Sequence, residues 1–239
     1  MRQKIRRIPI YISLLLFPIT LNFFSPYVSI DGAMNGIISG SLLLFFLMFI
    51  TSIFFGRAWC GWICPIAGLS EMCSYINNKN VNVKRLKIIR YSMFTIWAGV
   101  LVAMIIISDG IKGIDPLYLT ETGISVDAPV KYITYYLVLL LFFVTTILVG
   151  KRGACQSLCW MSPFMVAGVT VGKLLHIPQL RIKADVSKCV NCNACNKKCP
   201  MSIPVGTDMK EGFIKTSDCI LCGECVDTCP KKALTYGIK

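Results

Sequence analysis

Cys189-Val190-Asn191-Cys192-Asn193-Ala194-Cys195-Asn196-Lys197-Lys198-Cys199-Pro200 recurs thirty residues on as Cys219-Ile220-Leu221-Cys222-Gly223-Glu224-Cys225-Val226-Asp227-Thr228-Cys229-Pro230. Both copies read C-x₂-C-x₂-C-x₃-C-P. A cubane iron–sulfur cluster needs four soft thiolates converging from different directions; a tight loop supplies three and the fourth comes from the other copy. The expected ligand sets are therefore Cys189, Cys192, Cys195 and Cys229 for one [4Fe–4S] cluster, and Cys219, Cys222, Cys225 and Cys199 for the other. A zinc site would need two C-x₂-C pairs per ion and no closing Cys-Pro, so it is disfavoured. Gly223 and Ala194 sit inside the loops, where small residues let backbone N–H groups approach sulfur.

From residue 181 onward the chain is polar and basic, with ten Lys/Arg against six Asp/Glu in 59 residues. So short a segment buries little core, and two clusters would supply the missing cross-links. The region resembles bacterial two-cluster ferredoxins along its whole length. The resemblance implies a small α+β unit with internal pseudo-symmetry. The boundary is expected near residue 180, giving units 1–180 and 181–239.

The preceding 180 residues differ in kind. The whole chain of 239 residues is 55% apolar, only 15% charged, and carries a net charge of +13. Soluble domains average about 25% charged residues. Four uncharged apolar stretches, 8–24, 36–55, 91–107 and 132–149, have 17 to 20 residues each, the length that crosses a bilayer core as a helix. Pro18 is expected to kink the first. That stretch lacks a small-residue cleavage site, so it reads as a retained anchor rather than a signal peptide. The fold class predicted is an α-helical membrane bundle of four transmembrane helices plus a small α+β ferredoxin-like domain.

Loop charge orients the bundle. Arg2, Lys4, Arg6 and Arg7 precede the first stretch, and Arg57, Lys79, Lys84, Arg85, Lys87 and Arg90 follow the second. Lys151 and Arg152 follow the fourth. The loop 25–35 has only Asp31, and 108–131 sets Lys112 and Lys131 against Asp109, Asp115, Glu121 and Asp127. The positive-inside rule puts both termini and the C-terminal unit in the cytoplasm, in a multi-pass inner-membrane protein. It also accounts for most of the positive charge, so nucleic acid is not inferred as a partner; membrane lipid is. The short apolar stretch 160–175, with Pro163, Gly168, Gly172 and Lys173, reads as an interfacial or re-entrant helix.

Two further cysteine pairs close apolar stretches: Trp59-Cys60-Gly61-Trp62-Ile63-Cys64-Pro65 and Ala154-Cys155-Gln156-Ser157-Leu158-Cys159. On a helix, positions i and i+4 share a face. Two spans followed by Cys-x₃-Cys occur twice in the same direction, which implies a parallel repeat about an axis along the membrane normal. Cys60, Cys64, Cys155 and Cys159 together make the four thiolates of a third cluster at the membrane edge, with Arg57, Lys151 and Arg152 to offset its charge. Core packing, another metal and a redox-active dithiol stay open as alternatives.

This arrangement is similar to the NapH/MauN family, whose membrane module NosR and CcoG share. The second motif departs from the pattern: Trp160 follows Cys159, and Pro163 comes later. The resemblance implies an electron-transfer component passing electrons between the quinone/quinol pool and a redox protein partner, as a quinol dehydrogenase-like subunit of an oxidoreductase. The alternatives are an accessory or maturation protein that reduces a metal or a partner's cofactor, and a membrane anchor that relays electrons without quinone chemistry.

Cys73 falls at helical spacing with Ile66, Leu69 and Ile76 and is expected to be buried rather than a ligand. His176 is the only histidine, which excludes a bis-histidine haem. No phosphate loop, dinucleotide fingerprint or nucleophile–base set is present.

Overall fold

The computed structural model describes residues 1–108, 110–120, 123–209 and 212–238. Asp109 and Glu121, counted above among the loop charges, lie outside them. The chain is mostly helical. α1 (Arg2–Leu15) breaks at Leu16 into α2 (Phe17–Thr20) and a 3₁₀ turn (Leu21–Phe24), bent 61° from it. Pro18 sits in the first turn of α2. It lacks an N–H and its ring would crowd the carbonyl four residues back, which favours the break here, although α1 itself passes through Pro9.

α3 (Pro26–Met34) occupies the region read from sequence as a loop, capped by the Ser25 side chain on Val28 N. The second apolar stretch starts as a strand rather than a helix. β1 (Ile37–Ser39) pairs in parallel with β2 (Gly113–Asp115). α4 (Gly40–Phe55) therefore has 16 residues, about 24 Å at 1.5 Å per residue. α5 (Ala58–Trp62) and α6 (Pro65–Cys73) follow it. α7 (Val83–Ile107) and α8 (Pro129–Val149) are each long and apolar enough to cross a membrane, and the bent α1–3₁₀ pair would make a third such span. α4 and α10 (Met161–Leu174) are shorter apolar helices. α7 and α8 leave Ile96, Val102, Ile106, Leu137, Leu140 and Leu148 exposed, an apolar surface suited to lipid.

α4 and α8 end alike. Each stops at a glycine of positive φ, Gly56 at 57° and Gly150 at 120°, then turns into a five-residue helix, α5 or α9 (Gly153–Ser157). The chain next passes a cysteine and starts a return helix. For α6 that helix begins with Pro65 at its first position. For α10 it begins at Met161, with Pro163 still inside the first turn, where a missing N–H costs nothing.

α10 runs alongside α4 in the same direction: Phe164 stacks on Phe45 at 5.5 Å. Gly168 and Gly172 follow against Phe49 and Ile53, where a Cβ would meet the two carbonyl oxygens at 2.5 and 2.7 Å. Small residues allow this backbone approach. α6 returns against α1, with Gly68 on Ile10 and Leu14. Both return helices thus end where α4 and α8 end, beside the C-terminal unit.

That unit is built on β3 (Leu180–Ala184) antiparallel to β4 (Leu234–Ile238), with α11 (Ala194–Lys198), α12 (Val205–Asp208) and α13 (Glu224–Thr228). Its two halves share a backbone signature. Left-handed φ values fall at Asn191 and Leu221, Asn193 and Gly223, and Ser202 and Lys232, each pair thirty residues apart. The counterpart of Gly223 is therefore Asn193; Ala194 opens α11.

Candidate iron–sulfur centres

The twelve paired cysteines stand around three cavities, four to each. Cys189, Cys192, Cys195 and Cys229 line one. Cys199, Cys219, Cys222 and Cys225 line a second. Cys60, Cys64, Cys155 and Cys159 line a third. The left-handed residues inside each loop curl three cysteines around a common point, and α11 and α13 pack together to deliver the fourth from the other half. In the membrane module each pair straddles a helix end rather than sharing one helical face as the spacing suggested: Cys60 lies on α5 and Cys64 caps α6, while Cys155 lies on α9 and Cys159 follows it before α10. Among the described residues no three His, Cys, Asp or Glu side chains close tightly enough for a single metal ion; the thiols surround a volume instead. Four soft sulfur donors per cavity are the donor set of a [4Fe–4S] cluster, and the residues present fit it.

The cavities form a series. Met201 and Ile220 line both the second and the third, so two side chains separate the membrane-module cysteines from the nearest C-terminal set. The second set is the most buried and the first the most open; in the third, Cys64 is buried and Cys60, Cys155 and Cys159 are half-buried. Cys199, Cys222 and Cys225 are buried, whereas Cys192, in the first cavity, is exposed. Burial pushes the Cys219 and Cys222 thiols up to about 12 and about 11, against the nearby positive charge of Arg57 on the first and of Arg6 and Arg152 on the second.

Arg57 and Arg152 line the third cavity and are 1% and 2% exposed. Arg57 reaches Cys60 Sγ at 3.9 Å, and Arg152 donates to Cys60 O at 2.8 Å. Each is held by a buried carboxylate. Arg57 and Arg90 both bind Asp218 Oδ1, at 3.1 and 3.0 Å, and Lys87 pairs with the other oxygen. Burial would raise the Asp218 carboxyl, but these cations hold it down at about 2. Glu71 takes Arg6 at 2.5 Å and Arg152 at 2.9 Å. It too sits below the usual carboxylate range: burial opposes ionisation, and the two guanidiniums outweigh it. Lys151 faces elsewhere, donating to Lys197 O of the C-terminal unit.

Main-chain carbonyls complete the docking. Trp62 Nε1 donates to Leu221 O at 3.0 Å, Gln3 to Cys222 O at 3.1 Å, and Gln156 to Met201 O at 3.3 Å. Gly61 lies where a Cβ would meet Ile220 O at 2.2 Å, so the two modules touch backbone to backbone there. Cys73 is 1% exposed and outside all three cavities, while Ile76 falls beyond α6 and is exposed. His176 is exposed at the end of α10.

In the sequence, Arg6 and Arg90 have a topological explanation already, and Glu71 and Asp218 belong to no motif. One signal was there: Glu71 is the sole acid between Asp31 and Asp109.

This arrangement defines a ferredoxin-type iron–sulfur protein fused to an apolar helical module. Residues 39–84 match the model of a 4Fe-4S binding domain, and residues 181–230 match that of a 4Fe-4S dicluster domain. The chain is a NapH/MauN-like iron–sulfur protein. The ferredoxin-type protein NapH of Haemophilus influenzae is 28% identical over 195 residues, 77% of this chain and 63% of NapH. The methylamine utilization ferredoxin-type protein MauN of Methylorubrum extorquens is 27% identical over 180 residues, covering 73% and 59%. YccM of Escherichia coli K12 is 23% identical over 233 residues, covering 89% and 60%. The chain thus spans about three fifths of the length of these relatives. No solved structure matches it significantly.

Proposed function

We propose that this protein transfers electrons between the membrane quinone/quinol pool and a redox protein partner, as a quinol dehydrogenase-like subunit. Residues 1–180 form a four-span membrane module and 181–239 a cytoplasmic ferredoxin-like domain. The observation that carries the reading is the series of three four-cysteine cavities, the inner two sharing Met201 and Ile220. Cys189, Cys192, Cys195 and Cys229 ligate one cluster, Cys199, Cys219, Cys222 and Cys225 a second, and Cys60, Cys64, Cys155 and Cys159 a third. A [4Fe–4S] cluster supplies one-electron chemistry at potentials the protein tunes.

The chain's own part is placement and charge. Arg57 and Arg152 neutralise the innermost set, and Asp218 and Glu71 fix those guanidiniums. The basic residues Arg6, Lys87, Arg90 and Lys151 gather on the side where the C-terminal unit docks, which supports a cytoplasmic placement of that unit and of both termini. The outermost set opens to solvent at Cys192 and is lined by Lys188 and Lys231; with the exposed Lys197, Lys198 and Lys232, which neighbour Cys199 and Cys229 in sequence, they give the unit a basic surface for an acidic partner.

The test is anaerobic purification with iron and sulfide analysis, followed by mixing with a quinol. About twelve iron and twelve sulfide per chain are expected, with the clusters reduced by decylubiquinol or menaquinol. Loaded protein that dithionite reduces and neither quinol reduces would overturn the quinone assignment.

A further inference from the structure

A fourth cavity, of about 320 Å³, adjoins the innermost cysteine set on the side away from the C-terminal unit. Cys159 and Met161 line both cavities. No residue of 181–239 lines the fourth one, whereas Met201 and Ile220 line its neighbour. The four-cysteine site therefore lies between this space and the ferredoxin-like unit.

The walls come from the bent segment after α1, from α3, and from one face of α8. Along α8 the lining residues are Lys131, Thr134, Val138 and Phe142, a helical face about 16 Å long at 1.5 Å per residue. The two ends differ in chemistry. Beside Cys159 the walls are aromatic: Phe142 stands edge-on to Trp160 at 6.0 Å, and Trp160 is held by its Nε1–H on Phe24 O at 3.0 Å. Its indole N–H is thus already satisfied, and the ring is fixed as a wall. At the far end lie Lys131, Ser125 and Asn22, with Thr134 exposed on the outer face of α8. The break at Leu16 creates this space, because it swings Phe17 to Phe24 away from the line of α1.

Resting on the quinone reading above, we infer that this cavity is the quinone site, with the ring between Phe24, Phe142 and Trp160 next to Cys159 and the tail running out along Val138 and Thr134. The volume falls in the range of small-molecule sites, and the lining is the usual one of apolar walls with few polar groups. Flat aromatic walls suit a planar ring. A phospholipid chain would fill the same apolar volume, but it would have no use for aromatic walls fixed at the end that meets a cysteine set. Of the molecules a bilayer dissolves, a quinone is the one whose head must approach a redox centre.

The experiment is photolabelling of the detergent-purified, cluster-loaded protein with an azido-benzoquinone carrying a decyl tail. Decylubiquinone and menaquinone serve as competitors, and peptide mapping gives the readout. Labels are expected within 17–28, 134–142 or 159–161, and should be lost with either competitor. The variant Val138→Trp, which fills the tail path, should cut labelling at least tenfold while iron and sulfide content and reduction by dithionite stay unchanged. Met93→Trp, on α7 outside the cavity, is the control and should label as the parent does. Specific labelling at other peptides, with quinol reduction of the Val138→Trp protein intact, would overturn the site and leave the quinone reading standing. Labelling that neither competitor removes, in protein that neither quinol reduces, would remove both.

Discussion

Arg57 and Asp218 form an ion pair of 3.1 Å across the junction of the two modules, with 1% and 6% of their side chains exposed. Each lies beside a cysteine set: Arg57 touches Cys60, and Asp218 precedes Cys219. Arg90, which also binds Asp218, donates to Ser162 Oγ at 3.0 Å. One carboxylate thus ties the turn after α4, α7 and, through Arg90, α10 to the C-terminal unit. Removing one partner of a buried pair costs more than the pair itself contributes, on the order of 3–5 kcal/mol, because the other charge is left behind. Asp218→Asn should lower the thermal midpoint and expose the linker after α10 to protease, whereas Lys87→Met, at a half-exposed partner, should change little. Equal protease resistance of parent and Asp218→Asn would show that the junction is held by other contacts.

Glu71 does the same for the N-terminus. It joins Arg6 of α1 to Arg152 at the head of α9, and Arg6 also donates to Gly61 O at 2.9 Å and approaches Glu224 at 3.6 Å. Glu71→Gln keeps the shape and removes the charge facing two buried guanidiniums. It should cost on the order of 3 kcal/mol and free residues 2–7 to tryptic cleavage. Unchanged cleavage kinetics would count against the network.

How much of this was legible from residues alone differs by region. The C-terminal loops were legible in detail, because C-x₂-C-x₂-C-x₃-C-P constrains its own geometry over a dozen residues. The structure groups the thiols as that spacing suggests. The meeting of Cys60 and Cys64 with Cys155 and Cys159 was legible through the repeat. The shape of the first half was not. Apolar runs at 8–24 and 36–55 give length and hydropathy, yet a break before Pro18 divides one and the β1–β2 pairing shortens the other, and pairing partners seventy-six residues apart leave no local signal. Burial of Arg6, Arg57, Arg90 and Arg152 was hidden for a related reason. A basic residue at a span end has a topological explanation already, and its carboxylate lies far away in sequence.

Gly223 takes φ of 77°, and a Cβ there would meet the Tyr236 hydroxyl at 2.5 Å, the same hydroxyl that donates to Leu221 O at 2.8 Å. Gly223→Ala adds a left-handed non-glycine residue, about 1–2 kcal/mol, and displaces that hydrogen bond. The expected result is faster loss of iron from the second cluster site under air, with the first site slower to change. Equal loss rates in parent and variant would show that the loop tolerates the methyl group.

Lys197, Lys198, Lys231 and Lys232 are exposed beside cysteines of the two C-terminal sets, Lys231 lines the outermost one, and the unit's net charge is positive. Exposed charges steer association more than they hold it. Charge reversal of all four should slow electron transfer to or from an acidic ferredoxin or flavodoxin at low salt by at least tenfold, with the difference shrinking as salt screens it. A salt dependence unaltered by the four substitutions would rule this face out as the docking surface.

Cys60 and Cys155, on the short helices that follow α4 and α8, and Cys64 and Cys159, just beyond those helices, line one cavity. Neither pair alone supplies four donors, so the loss of any one should affect the same bound species. Single Ser substitutions should each remove about four iron of twelve and leave the eight of the C-terminal unit with their spectroscopic signals. Cys73→Ser, outside the cavity, should remove none. Cys159 is the informative member, because it also lines the apolar cavity beyond and is followed by Trp160 where the first motif has Pro65. If Cys159→Ser alone keeps its iron, the site is held by three cysteines and a fourth, non-cysteine ligand. If all four variants keep twelve iron, the pairs are packing residues, and the series of centres ends at the second cavity.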